Sequence, residues 1–204
     1  VISLTRSQIE TLLDGLAVLA RVFWGPSREL VEAFRDSDLE AELRVMADLV
    51  QAPSDVVLAP PADAKPDDWL DRLETEYVRL FVSEHGGVPA PPYHSYYFGS
   101  DRLLMRRPAR DMARRLAEAG LDMGEISEPP DHVAVEIEYL FYLVESVYAG
   151  DRDELASDLG AFAAEMAEWL PQFVQRLETH DASSFYLNAA RLLTAAVNQL
   201  AEPT

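Results

Sequence analysis

The chain has 204 residues, 49 % of them hydrophobic, enough for a substantial core in one domain or two small ones and too many for a disordered segment. Its 36 acidic and 17 basic residues leave a formal charge of −19, which disfavours a phosphate backbone as partner and favours encounter with basic peptide or protein segments. No cysteine is present, so disulfides, thiolate metal sites and cysteine nucleophiles are excluded. The excess acid has a plainer reading too, as solvation of a helical surface. The opening residues, VISLTRSQIE, lack a basic region followed by a long apolar run, and no apolar run reaches a membrane span. A soluble cytoplasmic protein is expected.

In chain order, Thr5 caps a first helix to Phe23, with Gln8 at the capping-box position and Ile9, Leu12, Leu13, Leu16 and Leu19 forming its stripe. Gly25-Pro26 ends it, and Ser27 starts a short helix through Phe34. Ser37 with Glu40 starts another, carrying Leu39, Leu43, Met46 and Leu49 on one face. Residues 51–66 form a connection with four prolines, after which Asp67 or Asp68 caps a helix bearing Trp69, Leu73, Tyr77, Leu80 and Phe81.

That helix runs into a loop no helix accommodates, with Gly86, Gly87, Pro89, Pro91 and Pro92 close together, followed by Tyr93, Tyr96, Tyr97 and Phe98. Aromatics beside a rigid proline turn form a binding wall or a pin that fixes the loop to the core. The following SYYFGSDRLLM alternates weakly, as a short extended segment would. Pro108 opens a helix ending at Gly120, with Met112, Leu116 and Ala119 inward and Arg106, Arg107, Arg110, Arg114 and Arg115 outward. Packing of these arginines against acidic neighbours explains them as well as anion binding does.

After a break at Glu125–Pro130, Asp131 starts the most apolar helix, to Gly150; Val133, Ile137, Leu140, Val144 and Val147 lie on one face, and Val135, Tyr139 and Leu143 extend round it, as expected of a nearly enclosed helix. Asp151 and Glu154 make a capping box for the next helix, which Pro171 should kink or break after Trp169. A last helix runs from Ser183 or Ser184 to about Ala201, with Phe185, Leu192, Leu193, Ala196 and Leu200 apolar. The sum is an all-α chain, a bundle of about eight helices in two groups.

Candidate chemistry rests on His85, His94, His132, His180 and the carboxylates. His132 and Glu136 lie one turn apart, which fits a hydrogen-bonded structural pair or half a metal site; the two-histidine metalloprotease helix is absent. No phosphate-binding loop, dinucleotide fingerprint or nucleophile elbow occurs, so no enzyme and no cofactor are expected. Asp131 at the helix start suits the orphan amides and the positive dipole end, which also favours a neutral His132.

The order Glu76-x-x-x-Leu80-Phe81, Pro91-Pro92-Tyr93-x-Ser95-x-Tyr97 and Glu128-Pro129-x-Asp131-His132 resembles the TorD/DmsD/NarJ chaperones, redox-enzyme maturation proteins that attend molybdopterin-dependent oxidoreductases. The similarity is sharpest over residues 76–140 and extends to Ser184-Phe185-Tyr186. It implies N-terminal and C-terminal helical subdomains, 1–98 and 99–204, with a hinge at 125–132. It implies that the chain binds the twin-arginine leader or apo form of a molybdopterin oxidoreductase catalytic subunit in the cytoplasm, assists cofactor insertion and delays export. The contact residues implied are Tyr77, Leu80, Phe81, Pro92, Tyr93, Ser95, Tyr97, Asp131 and His132. Tyr93 and Tyr97 stand where several leader-binding members have Trp, and Val82-Ser83-Glu84-His85 replaces the commoner glycine-proline. The alternatives are a same-fold chaperone for a non-exported nitrate-reductase-type enzyme, and a helical metal-dependent hydrolase built on His132 and Glu136. A monomer and a domain-swapped dimer are both consistent with a hinge. An amphipathic leader would bury three or four side chains, about 5–8 kcal/mol gross. Ordering it costs roughly 2–5 kcal/mol; with the leader's arginines meeting the acidic surface in addition, binding of about micromolar strength is expected.

Overall fold

The stripe that begins at Ile9 forms α1 (Arg6–Trp24) in the computed structural model, which describes residues 4–36, 38–61, 64–83, 87–121, 124, 128–148, 152–180 and 182–201. Thr5 and Gln8 close the expected capping box, each side chain accepting the other's backbone N–H. Then come α2 (Arg28–Asp36), α3 (Leu39–Leu49), α4 (Pro66–Tyr77), α5 (His94–Tyr97), α6 (Arg107–Ala119), α7 (Val133–Tyr148), α8 (Ala156–Thr179) and α9 (Ser184–Ala201). The described residues contain no strand, only an isolated antiparallel bridge between Tyr93 and His132.

α7 is the enclosed helix of the fold. It is buried almost all round, from Val133 to Val147, with α1 on one side and α8 on another. α8 pairs along its length with α9, and α9 reaches back to α1 and α3. The buried side chains therefore form one cluster that draws on helices before and after residue 98. Aromatic edges knit it: Phe23, Phe81 and Phe173 meet in one group, and Phe34, Trp69 and Phe185 in another. The proline-rich connection is docked rather than loose, with Val56 and Leu58 buried and the Val57 carbonyl accepting from Asn188 Nδ2 at 2.9 Å.

Several local expectations change. α4 starts at Pro66, so Asp67 and Asp68 lie in its first turn and act through their charge rather than as the cap. It also stops being α-helical at Tyr77. Val78–Val82 form a π-helical turn closed by the Ser83 amide on the Val78 carbonyl, which buries Leu80 and Phe81 and leaves Val78 and Val82 exposed. The segment after the proline loop begins as the short α5, not as an extended strand.

Pro171 does not break α8, which runs 24 residues through it. A proline inside a helix costs ~3 kcal/mol. Met166, Trp169, Leu170, Phe173 and Leu177 are buried on both sides of it, and together they outweigh that cost. Three of the four arginines of α6 pair with acids: Arg107 with Asp111, Arg114 with Asp111 and Glu118, and Arg115 with Glu165 through two bonds of 2.8 and 2.6 Å. The expected caps at Ser37 and Asp151, and the residues Glu84, His85, Gly86, Glu125 and Gly150, lie outside the described residues.

Candidate functional site

Residues 92–95 are laced to residues 129–133 by the backbone. The Val133 amide donates to the Pro92 carbonyl at 2.8 Å and the His94 amide to the Asp131 carbonyl at 3.0 Å, on either side of the Tyr93–His132 bridge. Proline supplies no amide, so the Pro91-Pro92 pair offers only carbonyls here, and the helix start offers the amides that need them. α7 begins at Val133, one turn position later than the sequence suggests. That puts His132 at the cap, where its Nδ1 accepts the Ala134 amide at 3.2 Å. Asp131, expected to cap, instead turns its carboxylate to the Ser95 amide at 2.7 Å, and Ser95 Oγ in turn accepts the Arg106 amide at 3.0 Å. Asp131 is wholly buried, and its Oδ1 has no hydrogen-bond partner among the described residues.

An Nδ1 that accepts must be unprotonated, so His132 is the neutral Nε2–H tautomer. Burial pushes its pKa down to about 4, opposed only in part by the charges of Glu128 and Asp131. The ring is stacked under Trp24, centroids 5.2 Å apart and planes 13° from parallel, and meets the edge of Tyr93 at the same distance. Tyr93 donates its hydroxyl to Glu128 at 2.6 Å; Trp24 donates its indole N–H to Glu138 at 2.7 Å. Tyr77 sends its hydroxyl to the Phe23 carbonyl at 3.0 Å, and burial together with Glu128 pushes its pKa up to about 12. Gly25 lets the chain pass this ring: its φ is +120° and a Cβ there would sit 3.5 Å from Tyr77. The outcome is a half-buried aromatic shelf of Trp24, Tyr93 and Tyr77, with Glu128 and the exposed Glu138 at its margins.

Behind the shelf a second set of partners fixes α5. His94 Nδ1 is 2.9 Å from Glu136 Oε1, Trp169 donates to Glu136 Oε2 at 3.1 Å, and the His94 ring stacks on Trp169. Burial lowers the His94 pKa, but the bond and charge of Glu136 outweigh it and the net direction is up. Burial likewise raises Glu136, against the pull of His94 and Trp169. Glu136 is thus the partner of His94, not of His132. The two residues share a helix turn, yet His132 is engaged by Trp24 and Tyr93 while Glu136 points into the core. That removes the donor pair on which a hydrolase would rest, and among the described residues no three His, Asp or Glu side chains converge as metal ligands.

Of the nine residues singled out by sequence, Tyr77 and Tyr93 are half-exposed and reach the shelf. His132 and Asp131 lie directly beneath it, with Ser95 and Pro92 holding Asp131 and Val133. Leu80 and Phe81 are core side chains, 0 and 4 % exposed. Tyr97 turns elsewhere, stacked on Trp169 and edge-on to Phe173. Sequence reasoning missed Trp24 and Glu138. Trp24 carried a usable signal, as a large aromatic ending a helix just before Gly25-Pro26; Glu138 carried none, because its role exists only through contact with Trp24.

Comparison with known proteins gives a consistent picture. The profile of the family described as nitrate reductase delta subunit matches residues 33–175. The chaperone protein TorD of Vibrio parahaemolyticus is 26 % identical over 198 residues, covering 86 % of this chain and 89 % of its own. TorD of Vibrio vulnificus is 34 % identical over 131 residues, 60 % of each chain, and TorD of Photobacterium profundum 33 % over 129 residues. In fold, the chain is similar to a redox enzyme maturation protein from Archaeoglobus fulgidus, with a TM-score of 0.53 at 21 % identity over 95 % of each chain. No helix among the described residues is long and apolar enough to cross a membrane.

Proposed function

The chain belongs to the nitrate reductase delta subunit family, and we propose that this redox-enzyme maturation chaperone holds the twin-arginine leader of a molybdopterin oxidoreductase catalytic subunit on the Trp24–Tyr93 shelf. In the cytoplasm it would assist insertion of the client's cofactor and delay export until then. The observation that carries the proposal is the shelf itself: three half-buried aromatic rings, rigidly backed by buried His132 and Asp131, with a carboxylate at each margin. A leader is a basic end followed by an apolar stretch. Its apolar face would cover the rings, as in helix-in-groove recognition, and its arginines would meet Glu128 and Glu138.

In this reading Tyr77 and Tyr93 touch the leader together with Trp24. His132, Asp131, Ser95 and Pro92 position them, and Leu80 and Phe81 anchor the helix end that carries Tyr77. The division into subdomains 1–98 and 99–204 with a hinge at 125–132, in a monomer or a domain-swapped dimer, belongs to the same proposal. Its support is the Tyr93–His132 bridge, which joins a residue before that boundary to one after it.

The experiment is calorimetric titration of the purified chain with twin-arginine leader peptides and with versions whose arginines are replaced by lysine. Micromolar binding that weakens about tenfold or more per folded molecule in Trp24→Ala and Tyr93→Ala, beyond the modest loss of stability that follows from the ring contact each gives up, is the expected result. Failure of every leader, or variants that bind as wild type does, overturns it. The family description favours one second reading, a chaperone for a non-exported nitrate-reductase-type enzyme. That reading gains if the chain captures an apo catalytic subunit that lacks the arginine pair.

A further inference from the structure

Apart from the shelf, a pocket of about 460 Å³ opens between α5 with the loop after it and the last turns of α8. That volume suits a small molecule. Its wall includes Tyr96, Tyr97, Arg102, Arg176, Thr179 and His180, and it contains no Asp or Glu, on a chain with 36 of them. Both guanidinium groups lie over one ring, 5.2 Å from the Tyr96 centroid for Arg176 and 6.0 Å for Arg102. Most arginines among the described residues are answered by carboxylates, as Arg106 is by Asp101 beside this loop; Arg21, Arg72 and Arg110 are not, but none of those three lines this pocket. Among the described residues neither Arg102 nor Arg176 has such a partner. Arg176 donates its Nε–H to the Pro89 carbonyl, which fixes the side chain and leaves its terminal amino groups for something else.

A second observation is independent of the charge. Tyr97 is 9 % exposed, and its hydroxyl is buried with no hydrogen-bond partner among the described residues. Native proteins rarely leave a buried hydroxyl unpaired, because desolvation is then uncompensated. Arg176 and Arg102 are both near enough to this hydroxyl to oppose the upward push that burial gives its pKa. Two cations without counter-charges thus face one cavity, and Tyr97 forms part of its wall, its hydroxyl having no accessible surface. An anion between the arginines would neutralise their mutual repulsion and accept from both.

We infer that this pocket is a site for a small organic oxyanion, a phosphate or carboxylate group seated between Arg102 and Arg176. It shares no residue with the aromatic shelf, so it stands or falls independently of leader binding.

The test is calorimetry and thermal shift at constant ionic strength, with pyrophosphate in one arm, citrate in a second and sodium chloride as control. One or both oxyanions should bind and raise the melting temperature beyond chloride; which arm responds tells phosphate from carboxylate. Arg102→Gln should weaken that binding about tenfold, since it removes a charge-assisted bond from an exposed loop. Tyr97→Phe should leave that binding as it is in wild type and the ligand-free melting temperature equal or higher, because the deleted hydroxyl lies behind the pocket wall. The inference is overturned if neither anion exceeds chloride at about 10 mM, a range where even millimolar sites show. It is equally overturned if Arg102→Gln binds as wild type does, or if Tyr97→Phe weakens binding as much as Arg102→Gln does, which would place the anion elsewhere.

Discussion

Replacing His132 with asparagine isolates the work this imidazole does in the folded chain. The asparagine oxygen can take over the role of Nδ1, accepting the Ala134 amide as a good helix cap does, but it neither stacks nor titrates. Near pH 7 the variant should lose the ring contacts with Trp24 and Tyr93, each worth about 0.5–1.5 kcal/mol, for a total of roughly 1–3 kcal/mol. The pH dependence is the sharper reading. An unfolded His132 takes up a proton below 6.5, whereas the folded one holds out to about 4. Between those values the unfolded chain binds more protons, so stability falls as pH drops from 6.5 through 4. The gap corresponds to about 3 kcal/mol.

His94 and Glu136, both raised, act in the opposite sense, contributing fully at low pH and less as pH rises through their folded values. They are unaltered by the substitution, so subtracting one stability curve from the other leaves His132. Urea unfolding followed by tryptophan fluorescence from pH 7.5 to 4 gives both curves. The variant should be the less stable protein at pH 7 and should close most or all of that difference by pH 4. Parallel acid limbs would refute the argument, showing that His132 is protonated in the fold or is already perturbed in the unfolded chain.

Leu140→Ala, at a position with no exposure, should cost about 2–5 kcal/mol in urea unfolding while the folded fraction binds leader as before; a loss of affinity per folded molecule would contradict the separation of core and shelf. Glu128→Gln and Glu138→Gln should each weaken leader binding by a few fold in calorimetry and flatten its salt dependence, and an unchanged salt slope would show that the arginines are met elsewhere. Gly15→Ala in α1 would ordinarily gain about 1 kcal/mol of helix propensity. Here its Cβ would lie 2.0 Å from Met46 Sδ, so it should instead lower the melting temperature; Met46→Ala added to it should cost less than the two changes summed.

The helices were legible because each carries its instructions locally. The Thr5–Gln8 box, the Gly120 stop with φ of +71° and the apolar stripe of α7 are all contained within a few turns of chain. The lacing of 92–95 to 129–133 was only half legible: the residues stood out, but their partners did not. Which of Asp131 and His132 would cap α7 was decided by the Ser95 amide, 36 residues away in sequence, and no spacing rule reaches that far. The same holds for Glu136, whose neighbour by helical period is His132 but whose partners are His94 and Trp169. Pro171 erred in the other direction. Its local effect was real, and burial on both sides of it outweighed that effect.

The widened turn at Val78–Val82 holds, in effect, one residue more than an α-helix would at that place. Each residue of an α-helix advances the chain by about 100° around its axis. Deleting one of the five would therefore let the segment close as an ordinary α-helical turn, with the residues that remain still close to their present faces. In a regular turn of the same helix a deletion would instead swing everything beyond it by that angle. Related sequences should vary freely at its two outward positions, and a one-residue gap in the helix should fall here rather than in α4.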